Sequence, residues 1–285
     1  MRAIRTALCA TILLSGTAFA DPRPTIVYDA VPTPLPPNMA SLGFEATATS
    51  EFGDRIHLKG SRRHVQSITV TMVDWALYDD YKTDPRYAGN HRTWMHPLTL
   101  NVYKAKTFDA FGAPAVRLFS VTRYVDIPWR PAVWDYPGIA FNVKFEVDMD
   151  LPSDVIVGVA FNTQDYGETP IAKPGPYNSL NVGVPEEQTA VVGTDDDVDA
   201  VYWNTSINWY ADGGVTGHFR EDTLWAPFGT VAFRVTATGG RDKDDDDDDH
   251  DVHGHDNHHG NGNGHGNGHG RKIVGESRKD DRGRR

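Results

Sequence analysis

Cysteine is nearly missing: the chain has one, Cys9, in 285 residues. That residue falls within residues 1–20, which read as a secretory signal peptide. Arg2 and Arg5 supply the positive start, Ala7 to Leu14 the short apolar stretch, and Ala18-Phe19-Ala20 the small residues of a cleavage site. Asp21 then opens a mature chain without Cys, which excludes disulfides, thiolate catalysis and cysteine-ligated zinc. A long apolar run is missing after the N-terminus, so no membrane-spanning helix is expected. Positive charge is short as well. The net charge of -11 argues against a nucleic-acid partner, which would need a basic patch facing the phosphates.

Catalytic signatures are also lacking. There is no Gly-x-Ser-x-Gly elbow, no His-Glu-x-x-His and no glycine-rich phosphate loop ahead of a helix. His91 with His96, and His218 with Glu221, are weak pairs. Glu45, Glu51 and Glu146 are carboxylates that glycoside hydrolysis would pair only at a separation the sequence does not encode. The chain therefore reads as non-catalytic.

What is present is a β pattern. Hydrophobic residues make up 39% and aromatics 11%, too many for a wholly disordered chain and enough for a core. Apolar residues alternate with small or polar ones through Ile139–Val147, Leu98–Val102, Ile68–Met72 and Val231–Val235, the signature of strands with one buried face. Val155 to Phe161 is apolar on both faces and is expected to sit centrally. Further strands are expected near Ile26–Asp29, Arg55–Leu58, Val116–Val125, Leu180–Val184 and Val201–Trp203. No amphipathic helix of three turns is visible. About nine or ten strands without helices need two packed sheets or a barrel. The expected fold is an all-β, antiparallel two-sheet sandwich, jelly-roll-like, over residues 21–240.

Residues 241–285 differ in kind. Six acids, Asp244 to Asp249, precede a tract of His, Gly and Asn and a basic close, with almost no apolar residue, so a disordered C-terminal tail is expected. The signal stretch contributes +2 and the tail -3, which leaves -10 on residues 21–240.

The chain also carries Ile26-Val27-Tyr28-Asp29, Ser41-Leu42-Gly43-Phe44-Glu45-Ala46 and Ser50-Glu51-Phe52-Gly53-Asp54-Arg55. Farther on come Phe161-Asn162-Thr163, Gly175-Pro176-Tyr177-Asn178-Ser179-Leu180-Asn181-Val182-Gly183 and Trp203-Asn204-Thr205-Ser206. In these motifs it resembles a group of uncharacterised secreted bacterial β-sandwich proteins, over most of residues 25–238. The resemblance implies secretion and a single β domain, and brings no activity, ligand or site residue.

Three constellations carry chemistry. In the tail, His253, His255, His258 and His259 stand close together on a flexible chain. They suit Zn²⁺, Ni²⁺ or Cu²⁺, a pH-tuned adhesive surface, or a plain charged spacer. Asp195, Asp197 and Asp199 alternate as in the first half of an EF-hand. Ala200 replaces the turn glycine and Ser206 the bidentate Glu, so the EF-hand is rejected, and a loop holding Ca²⁺ or a solvated acidic turn remains. Of the seven Trp, Trp75 is expected in the core. Trp94, Trp129 and Trp134 fall in expected loops and are the candidates for exposed contacts with a polysaccharide; loop aromatics also serve simply to close a sandwich. The expected setting is secreted and extracellular, with the periplasm as the alternative, and the expected partner a polysaccharide or other cell-surface component.

Overall fold

The structure, a computed structural model, describes residues 23–133, 138–186, 190–207 and 217–239. The chain divides into two units, Met1–Lys243 and Asp244–Arg285, and every described residue belongs to the first. The fold is nearly all β, with 47% strand and 4% helix, in two antiparallel sheets packed on one another.

The first sheet is built on β4 (His64–Asp74). Along one edge of β4 runs β7 (Ile139–Asp150), paired from His64↔Asp150 to Asp74↔Ile139. The other edge is shared by β13 (Phe233–Thr238) and β9 (Leu180–Gly183), which carry β1 (Thr25–Asp29) and β2 (Ser41–Gly43) outward. The second sheet runs β12 (Arg220–Asp222), β11 (Val201–Thr205), β3 (Thr49–His57), β8 (Asp154–Ala160), β5 (Thr93–Lys104), β6 (Arg117–Pro128), with the short β10 (Thr194–Asp195) also on β3. The chain passes repeatedly between the sheets, as in a jelly roll. One helical turn, α1 (Tyr78–Tyr81), follows β4, and a 3₁₀ turn, Pro176–Ser179, precedes β9. No helix among the described residues is long and apolar enough to cross a membrane.

The alternation read from the sequence becomes the core. Ile68, Val70 and Met72 of β4, Val143, Phe145 and Val147 of β7, and Phe233 and Val235 of β13 face Phe52, Ile56, Leu98, Leu100, Val102, Val155, Val157 and Val159 of the second sheet. As expected from its two apolar faces, β8 lies between β3 and β5. Its outward Ile156 is covered by a small apolar cluster of Ala105, Tyr202 and Phe219.

Trp94 lies in a strand rather than a loop. Pro97 suggests a break, yet β5 begins at Thr93. Pairing with β8 spans Thr99 to Lys104, whereas pairing with β6 continues to Thr93. Pro97 thus lies beyond the β8 pairing, where its missing N–H deprives no strand of a bond.

Candidate functional site

The odd-numbered residues of β5 and their cross-strand partners on β6 point away from the core, and over them lies an open cleft of about 710 Å³. The floor is set by strand register. Asn101 is paired with Ser120 on β6 and with Gly158 on β8, and Thr99 with Thr122 and Ala160. Glu51 of β3 lies across Ala160, and Gly53 across Gly158. Small residues on β8 keep the centre of this face low, while Tyr103, Arg117, Glu168 and Asn204 stand around it.

Glu51 is the buried acid of the cleft, 8% exposed. Asn101 Nδ2 donates to its Oε1 at 2.8 Å, and Tyr103 Oη lies 3.0 Å from both carboxyl oxygens. Asn101 is itself oriented by Ser120, whose Oγ donates to its Oδ1 at 2.8 Å. Burial pushes the Glu51 carboxyl up to about 7, against the lowering effect of the bonds from Asn101 and Tyr103 and the charge of Arg117. Near neutral pH this carboxyl is present both as a donor and as an acceptor.

The space for that carboxyl exists because β8 has a glycine there. A Cβ on Gly158 would stand 2.2 Å from Glu51 Oε1, and one on Gly53 would stand 2.3 Å from the Val157 carbonyl oxygen. Beside this set, the Thr99 and Thr122 hydroxyls bond one another at 2.7 Å, with Thr122 exposed. The cleft therefore offers hydroxyls, an amide, a guanidinium and a carboxyl of shared protonation on a rigid sheet. Such a set matches a ligand that both donates and accepts hydrogen bonds at many points.

The exposure expected of Trp94 and Trp129 is corrected here: they are 2% and 7% exposed. Trp94 Nε1 donates to the buried Asp74 Oδ2 at 3.0 Å, and Trp129 Nε1 to the Asn90 carbonyl at 2.9 Å. Trp129 meets the rings of Tyr78, Tyr81, Tyr87 and Trp94 at centroid distances of 5.7 to 6.0 Å. This aromatic group packs where β4 ends and β5 begins, and its large apolar area favours that burial over display. Trp134 lies outside the described residues, as do His253, His255, His258 and His259 and residues 1–20.

The alternating acids serve backbone amides, Asp195 and Asp197 as Asx turns and Asp199 by a long-range bond. Asp195 Oδ1 accepts from the amide of Asp197, Asp197 Oδ1 from that of Asp199, and Asp199 Oδ1 from that of Ala226. Asp195 Oδ2 accepts from Thr230 Oγ1 at 2.5 Å. Among the described residues, no group of three or more His, Cys, Asp and Glu is placed to hold a metal ion.

The remaining candidates disperse. Glu146 lies on the first sheet with Lys144 at 2.9 Å, and Glu45 Oε2 accepts from the Asp165 amide at 3.4 Å, so neither joins Glu51 in the cleft. His96 points into the core, stacked on Tyr177 at 5.3 Å, and burial pushes its imidazole down to about 4. Glu221 sits near Arg55, and His218 packs on Phe111 at 4.3 Å. The sequence reading did not single out Thr99, Asn101, Tyr103, Arg117, Ser120 or Thr122. In sequence they are the wet side of two alternating strands, and nothing marks that side as a site until register places Glu51 and Gly158 beneath it.

No family model matches the chain, and neither does a curated protein or a solved structure.

Proposed function

We propose that this chain is a secreted, non-catalytic binding protein whose β-sandwich takes a glycan in the cleft over β3, β8, β5 and β6. The single observation that carries the reading is Glu51, a buried carboxyl held by Asn101 and Tyr103 under an open, hydroxyl-lined face. A desolvated acid with named hydrogen-bond partners in an open cleft is a candidate binding group on physical grounds. A polyhydroxylated ligand replaces water at many donors and acceptors together, which suits this lining. Charge narrows the class. Glu51 and Glu168 stand against Arg117, on a domain of charge -10, so a neutral glycan is favoured over a polyanion.

The leader-like residues 1–20 support secretion, extracellular or into the periplasm, where a cell-surface polysaccharide is available. The His tract of the tail supports a second, separate role in holding Zn²⁺, Ni²⁺ or Cu²⁺, competing with protons for the imidazoles. A Ca²⁺ at Asp195, Asp197 and Asp199 is the weaker metal proposal, since those carboxylates already serve backbone amides.

Retention of the purified full chain on insoluble cellulose, xylan, chitin and β-1,3-glucan, with calcium and with chelator, tests the glycan reading. Retention lost in Asn101→Ala and in the cleft-filling Thr122→Arg supports it; absence of retention by the unmodified chain on every polymer overturns it.

A further inference from the structure

The cleft does not stop at its hydroxyls. On the outer face of β5 and β6 the cross-strand pairs step from Asn101 with Ser120, through Thr99 with Thr122, to Pro97 with Tyr124. Pro97 still lines the cleft, and Tyr124 beside it is 71% exposed. Met95, two residues farther along the same face, is 62% exposed. A polar floor thus runs on to the exposed Tyr124 and Met95, the latter paired with the exposed Asp126, along one pair of strands. From Asn101 to Pro97 is four residues, about 13 Å of strand. That is longer than one sugar ring.

We propose that Tyr124 is a stacking platform for the glycan, and that the ligand is an extended chain lying along β5 and β6 with one end of its bound stretch at Glu51 and the other on Tyr124. This inference rests on the glycan reading of the cleft. Sugars join both surfaces chemically: hydroxyls at the ring edges meet Asn101, Ser120, Thr99 and Thr122, and the C–H face of a ring covers the Tyr124 ring. A neutral β-1,4-linked glycan fits best, because its extended ribbon can follow two paired strands from Asn101 to Tyr124. Between Tyr124 and Asn101, the β5–β6 rows of this face are Pro97 with Tyr124 and Thr99 with Thr122. Single exposed aromatics are common, but Tyr124 continues the cleft floor as its next row.

The test is titration calorimetry of the full chain with cello-oligosaccharides and, in parallel, N-acetylated chito-oligosaccharides, from the disaccharide to the hexasaccharide. The unmodified chain should bind one series more tightly as length increases, until the oligomer reaches Tyr124. Tyr124→Ala should cancel that gain, about tenfold at the longest oligomer, and leave the disaccharide unaffected. Tyr124→Phe should retain the gain, since the ring and not the hydroxyl carries it. Asn101→Ala should weaken every length. An unchanged length dependence in Tyr124→Ala, with Asn101→Ala still weakened, overturns the platform and leaves the glycan cleft standing. No binding of either series by the unmodified chain overturns the extended β-1,4 ligand and its platform, and the glycan cleft falls with them only if the polymer panel also retains nothing. An unaltered melting temperature in Tyr124→Ala separates lost contact from lost fold.

Discussion

Glu51 couples the stability of the fold to the proposed binding cleft. The fold holds its proton up to about pH 7, whereas an ordinary glutamate releases it near 4.5. In that interval the folded chain binds a proton that the unfolded chain has lost, so stability falls as pH rises through it. The full loss is about 3 kcal/mol. Glu51→Gln removes the ionisation while keeping the shape. Denaturant unfolding at pH 8 should show this variant more stable than the unmodified chain, with the difference vanishing near pH 4. Equal differences at both pH values would mean that Glu51 does not titrate as its surroundings dictate. Gly158 supports the same carboxyl from below. Since a Cβ there stands 2.2 Å from Glu51 Oε1, Gly158→Ala should cost about 1–3 kcal/mol of stability and displace Glu51 from Asn101. A melting temperature unchanged by this substitution would contradict the packing described.

At the scale of elements, the buried faces were legible and the register was not. The alternations through Ile68–Met72, Leu98–Val102 and Ile139–Val147 each lie in a strand, and that through Val231–Val235 enters β13 at Phe233, because burial of one face imposes a period of two whatever the partner. The doubly apolar Val155–Phe161 also anticipated a central strand. Short β2, β10 and β12 escaped, because two or three residues carry no period. Trp94 was expected in a loop because the alternation starts at Leu98, and only the pairing with β6 carries the strand back to Thr93. The cleft was invisible for the same reason. Glu51 was one of several carboxylates until pairing of β3 with β8, and of β8 with β5, set it beside Asn101. The aromatic group around Trp129 belongs to this scale too. Trp129→Ala should destabilise the fold by about 3–5 kcal/mol, measured by unfolding, and leave glycan retention intact below the lowered melting temperature. Loss of retention in a chain still folded would return that indole to the binding surface.

For the molecule as a whole, buried titrating groups set the pH response. Asp74, with no exposed surface, is pushed by burial up to about 7 although Trp94 and two backbone amides bond it. Glu51 behaves alike, and burial raises Asp54 as well. His96, pushed down to about 4, acts in the opposite sense: the unfolded chain takes up a proton below 6.5 that the fold refuses. Between about pH 4.5 and 6.5 the acids outnumber that histidine, and from there to about 7 they act without it, so stability declines toward neutrality. Calorimetric melting should give a higher midpoint at pH 5 than at pH 8. Asp74→Asn combined with Glu51→Gln should flatten the difference. A midpoint that rises from pH 5 to pH 8 would contradict the burial of these carboxyls.

The proposed glycan site lies on the outer face of the second sheet. Its most direct measurement is retention of the full chain on the insoluble polysaccharide panel, beside Thr122→Arg, an exposed substitution that fills the cleft without entering the core. The unmodified chain should stay on at least one neutral polymer, and Thr122→Arg, folded and with an unaltered melting temperature, should be washed away. Equal retention of the two would place binding elsewhere on the molecule, and retention of neither would remove the glycan altogether.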